Sequence, residues 1–165
     1  MLGIELYNRD AVLEAHGANP AIAALLAWKP EAIENAKWDR DELTLLIARE
    51  DIREAAAVVK DAGYNFLEDV TCVDWNPVEP RFQITYHILS HSLKQRVRLA
   101  ALVSGDEPEI NSIVPVWPSA NFYEREVFDL FGVRFGGHPN LRRIMMPDEW
   151  IGHPLQKDYP VEGYR

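Results

Sequence analysis

Arg81-Phe82-Gln83-Ile84-Thr85-Tyr86-His87-Ile88-Leu89 alternates more cleanly than any other run in this chain, and its reading decides the fold. Phe82, Ile84, Tyr86 and Ile88 fall on one side of an extended backbone, and Gln83, Thr85 and His87 on the other. That is the period-2 pattern of a strand with one buried face. A second strand is predicted just before it, over Phe66 to Trp75, ended by the turn-rich Asn76-Pro77-Val78-Glu79-Pro80. A third follows over Gln95 to Val103, with Val97, Leu99, Ala101 and Val103 on one face.

Upstream, the period changes to that of a helix. Ile52, Ala55, Ala56 and Val59 form an apolar stripe, Asp51 and Glu54 read as its capping pair, and Gly63 is placed to close it. Ile33 to Trp38 and Glu42 to Arg49 read as a hairpin about Asp39-Arg40-Asp41, with Leu43, Leu45 and Ile47 alternating in its second arm. Asn19-Pro20 is an N-cap followed by a first-turn proline, Ile22, Leu25 and Leu26 share a face, and Pro30 ends that helix. A shorter helix is expected over Asp10 to His16, stopped by Gly17. Downstream, Asn121 to Glu124 reads as the cap of a last helix, with Tyr123, Val127, Leu130 and Phe131 as its stripe and Gly132 as its stop. Glu124, Arg125 and Glu126 are then expected in its first turn, at the positive end of the dipole.

The order helix, two strands, helix, three strands, helix implies an α+β fold. It is a two-layer sandwich of helices on a mixed or antiparallel sheet, with an extended C-terminal tail. Residues 1–135 form the domain and residues 136–165 a tail for docking a partner. Pro139, Pro147, Pro154 and Pro160 deny the tail a long helix. Leu141, Ile144, Met145, Met146, Trp150, Ile151, Leu155 and Tyr159 are too apolar for a solvated linker. Few local contacts are expected within it, so the free tail is expected to be mobile.

A net charge of −9 disfavours attraction to nucleic acid phosphates. The longest apolar run, near Ala21 to Trp28, is far short of a bilayer span, and no secretion signal is expected at the N-terminus. Cys72 is the single cysteine, which excludes an intrachain disulfide and a four-thiolate cluster held by this chain alone. Its place in Val70-Thr71-Cys72-Val73 reads as a buried small residue.

Reaction centres are hard to find. Glu124 and Glu126, two apart on one helix, do not converge on one substrate atom, and capping with ion pairing explains them more simply than acid–base catalysis. His138 and His153, with Asp148 and Glu149 between them, match no familiar metal spacing and read as hydrogen-bonding anchors. Gly132 to Gly137 lacks the dinucleotide spacing. Arg142-Arg143 reads as a bidentate clamp on carboxylates of a neighbouring protein.

Glu124-Arg125-Glu126, Asp129-Leu130-Phe131-Gly132 and Gly137-His138-Pro139-Asn140-Leu141-Arg142-Arg143-Ile144 together resemble the signature of the 30-kDa subunit of respiratory complex I, the bacterial NADH–quinone oxidoreductase, where it is the C-type component. Met146 to Trp150, Gly152 to Leu155 and Lys157 to Pro160 extend the likeness, as do Trp117 to Asn121 upstream and, more faintly, Asp69 to Asp74 and Arg81-Phe82. The resemblance implies a peripheral-arm subunit without catalytic, metal or cofactor residues of its own. Its partners would be the 49-kDa-type subunit (D type) and the iron–sulfur subunits of B and I type. FMN, iron–sulfur clusters, NADH and quinone would belong to the parent complex, at the cytoplasmic face of a bacterial inner membrane. On this reading the partner interface takes in Glu124, Arg125, Glu126, Asp129, His138 and Arg142. It continues through Arg143, Trp150, His153, Lys157, Asp158 and Tyr159, with Trp150, Tyr159, Arg142 and Arg143 as anchors. Two departures stand out: Gln156 occupies a place where a basic residue is expected, and the chain stops at Arg165 where longer relatives continue. The alternatives are the equivalent subunit of a related membrane-bound hydrogenase, and a free-standing small acid–base enzyme.

Overall fold

The structure, a computed structural model, describes residues 7–164. Two helices open the chain, α1 (Arg9–His16) and α2 (Pro20–Trp28), each capped by the side chain of the preceding asparagine. Asn19 accepts from the Ala21 amide and Pro20 supplies the first helical position, the roles their residue types fit best. Strands β1 (Ile33–Asp39) and β2 (Glu42–Ile47) follow as an antiparallel hairpin. Arg40 and Asp41 both take positive φ, 53° and 62°, so the two-residue turn twists with its strands.

Helix α3 (Ile52–Asp61) then leads to three long strands, β3 (Phe66–Asp74), β4 (Phe82–Ser90) and β5 (Gln95–Val103). The sheet order is β1-β2-β5-β4-β3. All neighbours are antiparallel except β2 and β5, so the sheet is mixed. Register aligns Cys72 with Ile84 and Ile84 with Ala101, and Leu45 with Leu99, on one face. Ile22, Leu25, Ile52, Ala55 and Val59 join these residues in one core. Each fully buried Ile or Leu there contributes roughly 1.5–3 kcal/mol of transfer free energy. The opposite face stays partly open, with Val73 exposed and Gln83 and His87 half-buried. Cys72 faces the core, and burial raises its thiol pKa, followed by the nearby Asp74 charge.

Beyond the expected elements lies a small parallel ribbon, β6 (Glu109–Asn111) with β7 (Arg134–Gly136). Three residues per strand are too few to leave a period in the sequence. Arg53 holds the ribbon's ends, donating from Nε to the Ser112 carbonyl at 2.7 Å and from Nη2 to the Gly136 carbonyl at 2.6 Å.

Both capping pairs differ from expectation. Asp51 stands at the N-cap of α3 but its carboxylate pairs with Lys29 Nζ at 2.6 Å and makes no capping bond. Helix α4 spans Ala120–Phe131, so it starts before Asn121, and its first turn holds no acidic residue. Turns at Trp117 and Pro118 launch it, through Ala120 N to Trp117 O and Asn121 N to Pro118 O. Glu124 therefore sits in the second turn and points into the core.

Candidate functional site

α4 presents two buried carboxylates, and they do different work. Glu124 is fully buried, accepting from Ser112 Oγ at 2.6 Å and from the Ile113 amide at 2.7 Å. It ties the segment after β6 to α4 rather than capping or ion-pairing as the sequence suggested. Burial raises its pKa; the Ser112 and Ile113 bonds and the Arg53 charge oppose this, leaving it at about 7. Tyr86, whose buried hydroxyl has no hydrogen-bond partner among the described residues, lies within reach of its charge.

Asp129 is the second, and the tail is organised around it. Its Oδ2 accepts three consecutive backbone amides, Ile144 at 2.9 Å, Met145 at 2.7 Å and Met146 at 2.8 Å. Its Oδ1 meets Arg143 Nη1 at 2.5 Å. Burial opposes the charge, but the Met146 amide, Arg143 and the other two amides prevail, so the Asp129 pKa is lowered. Its backbone carbonyl accepts from His153 Nδ1 at 2.9 Å, which fixes the proton on that nitrogen because a carbonyl only accepts.

The Arg142-Arg143 clamp is formed within the chain. Arg143 reaches Asp129 and also donates through Nη2 to the Trp150 and Gly152 carbonyls at 2.9 and 3.0 Å. Arg142 contributes its carbonyl, which with that of Arg143 accepts from the mostly buried Arg125. Thus Arg125 pairs with tail carbonyls, not with Glu124 or Glu126; the Glu126 side chain is exposed.

His138 accepts the Asn140 amide on Nδ1 at 3.0 Å, so its Nε2–H donates to the Asn121 carbonyl at 3.2 Å. Burial, joined by the Arg125 charge, lowers its pKa against the Asn121 bond. The two tail histidines are separate hydrogen-bonding anchors. Among the described residues no group of three or more His, Cys, Asp or Glu side chains is placed to hold a metal ion.

A second attachment lies farther along the tail. Arg81 holds Asp74 through Nε and Nη2 at 2.9 and 2.8 Å, and Asp158 through Nη1 and Nη2 at 3.1 and 2.5 Å. The Lys157 amide donates to Asp74 at 2.8 Å, and Lys157 Nζ reaches the Asn76 carbonyl at 3.3 Å. Burial pushes Asp74 up, yet Arg81 and the two backbone amides overcome it and hold it at about 2. Asp74 and Arg81 were not among the expected interface residues; the signal available was the faint family pattern through Asp74 and Arg81-Phe82. Gln156, the departure from a basic residue, donates to the Phe131 carbonyl at 2.7 Å and so covers the end of α4. Gly132 takes φ 79°, and a Cβ there would lie 2.7 Å from the His153 ring.

Anchored this way through Arg143 and His153, the tail leaves much of its apolar surface outward. Met145, Trp150, Ile151, Leu155, Val161 and Tyr164 are exposed, although Leu141 is half-buried and packs against the core. Tyr159 is half-buried and donates to the Ile151 carbonyl at 3.3 Å.

The chain is thus an α+β domain whose C-terminal segment is pinned on α4. Residues 45–165 match the family model described as respiratory-chain NADH dehydrogenase, 30 Kd subunit, and the chain belongs to that family. It is 41% identical over 146 residues to the C-type component of the NADH-quinone oxidoreductase of Citrifermentans bemidjiense, covering 88% of this chain and 91% of the relative. The trypsin-resistant fragment (1-134) of Nqo5 superposes with a TM-score of 0.57 at 35% identity, over 61% of this chain and 83% of that one. A chain of the archaeal membrane-bound sulfane sulfur reductase shares the fold, with a TM-score of 0.71 at 24% identity over 88% of this chain and 87% of that one.

Proposed function

We propose that this chain is a cofactor-free structural subunit in the peripheral arm of an NADH–quinone oxidoreductase. It holds the quinone-reducing module together by docking residues 136–165 on the 49-kDa-type subunit and on the B- and I-type iron–sulfur subunits. FMN, the clusters, NADH and quinone belong to those and other subunits; this chain supports NADH-to-quinone electron transfer and the coupled ion translocation by keeping them in register. No described helix is long and apolar enough to cross a membrane. On this reading the chain meets the cytoplasmic face of the inner membrane through the complex.

The arrangement of the tail carries this reading. A segment without a core of its own exposes Met145, Ile151 and Leu155, 57%, 66% and 51% accessible, while Asp129, Arg125, Arg143 and His153 fix its backbone from beneath. Fixing the strap beforehand lowers the ordering cost of association. Glu126, Arg142, Trp150, Lys157 and Asp158 are exposed and meet the partner. Glu124, Arg125, Asp129, His138, Arg143 and His153 act from within, shaping the surface that docks, and Tyr159 stands at its edge. Affinity purification of the tagged chain from its native membranes in gentle detergent tests the proposal. Co-recovery of the 49-kDa-type and iron–sulfur subunits supports it, and recovery of the chain alone with those subunits present overturns it. Nickel-site cysteines in a recovered large subunit point instead to a hydrogenase.

A further inference from the structure

Pro147, Glu149, Trp150, Ile151, Tyr159 and Tyr164 line an open pocket of about 300 Å³ on the tail. Its construction is specific. The Tyr159 and Tyr164 rings stand edge to face, 5.3 Å between centroids at 89°. Gly152 lies beneath both: with φ 83°, a Cβ there would come within 2.8 Å of Tyr159 and 2.9 Å of Tyr164. The wall and the floor are positioned by one side chain, because Arg143 donates to the carbonyls of both Trp150 and Gly152.

The cavity is electrostatically one-sided. Three aromatic side chains line it, whose ring faces are the negative side of the quadrupole. Glu149 adds a carboxylate with no ion pair among the described residues. Among the described residues, Arg143 is engaged on Asp129 and Lys157 on the Asn76 carbonyl. Aromatic side chains with an acid on one rim attract a positive charge. A guanidinium is planar, stacks on aromatic faces and is more weakly hydrated than an ammonium, so it enters such a site at lower cost.

We infer that Trp150, Tyr159 and Tyr164, with Glu149, form an aromatic cage that receives an arginine side chain of the neighbouring subunit. This rests on the docking reading above and gives that interface its central contact. Asp129 and Arg143 act on the cage as positioning residues, through the backbone of Trp150 and Gly152.

The test has two arms. In the first, N-methylguanidinium is titrated into the isotope-labelled full chain, with the Trp150 indole N–H and the tyrosine rings observed by NMR and neutral N-methylurea as control. A saturable shift with methylguanidinium alone is expected, its apparent affinity falling roughly tenfold in Trp150→Leu and far less in Trp150→Phe. Equal response to methylurea, or indifference to Trp150→Leu, overturns the cage even if the chain still purifies with the complex. In the second arm a photo-crosslinking residue replaces Tyr164 in native membranes. Attachment beside an arginine of another subunit supports the proposal; attachment to Arg165 of the chain itself, or to lipid, overturns it. A saturable titration in a chain that recovers no other subunit sinks the docking reading and, with it, the assigned occupant.

Discussion

Asp129 and Arg143, separated by 14 residues, close an ion pair at 2.5 Å in which the carboxylate is wholly buried. The pair joins the polar face of α4 to a segment with no helix or strand of its own, and three tail amides complete the carboxylate's bonding. Removing one partner leaves buried donors unanswered. Asp129→Ala is expected to cost about 3–5 kcal/mol of tail docking. Limited proteolysis should then cut beyond residue 136 while the circular dichroism of the sheet is kept; a tail as resistant as in the unaltered chain contradicts the assignment.

At the second attachment the two carboxylates on Arg81 are unequal. Asp74 is 2% exposed at its side chain and Asp158 is 53% exposed. Arg81→Ala strands a buried charge and is expected to cost about 3 kcal/mol or more. Asp158→Asn loses a screened contact, about 0–1 kcal/mol. Urea unfolding of both variants checks the ranking, and equal losses would refute it.

How far the sequence reached follows from the range of each interaction. The strands around Phe82–Leu89, the Arg40-Asp41 turn and the Asn19-Pro20 helix start depend on neighbours in the chain, and all were readable. A sheet layered with helices followed from their order, which left mixed and antiparallel pairing both open; the parallel β2–β5 contact joins strands some fifty residues apart. Asp129 was visible only as a motif residue, because its burial is created by a tail that folds back from residue 143. The tail was expected to be mobile because its prolines hide any period; its contacts are long-range, from Arg125, Asp129 and Asp74. Glu124 misled for a related reason. A glutamate near a helix start fits a cap, and only the return of Ser112 and Ile113 shows it as a core acceptor.

Glu124 also gives a pH dependence of unusual sign. Its folded pKa of about 7 lies above the ordinary 4.5, so the folded state binds the proton more tightly. Stability from this group is fully present below about pH 4.5 and is lost as pH rises to about 7, on the order of 3 kcal/mol in all. Glu124→Gln keeps an acceptor for the Ile113 amide and removes the charge. Its denaturant midpoint should change less than that of the unaltered chain between pH 5 and 8; parallel curves would place the titration elsewhere.

Gly132 ends α4 at a positive φ, with the His153 ring against it. Gly132→Ala adds both backbone strain and a collision with that ring. A loss of about 1–2 kcal/mol is expected from the backbone alone. His153 should also leave the Asp129 carbonyl, which its ring NMR signals report; an unchanged His153 spectrum would show that the ring is not held by this contact.

Amide exchange separates a pinned tail from a mobile one in the isolated chain. The amides of Ile144, Met145 and Met146 donate to one buried carboxylate oxygen, and those of Leu155 and Lys157 donate to Leu130 O and Asp74 Oδ2. Val161 is fully exposed. Exchange is governed by the opening of the bonded unit, so the first group should be protected without any partner and residue 161 should exchange freely. Asp129→Ala should release 144–146 before 157, since Lys157 is held by the separate Asp74–Arg81 attachment. Uniformly fast exchange over 136–164 would mean that the tail is ordered only on assembly, and the cost of fixing it would fall on the interface.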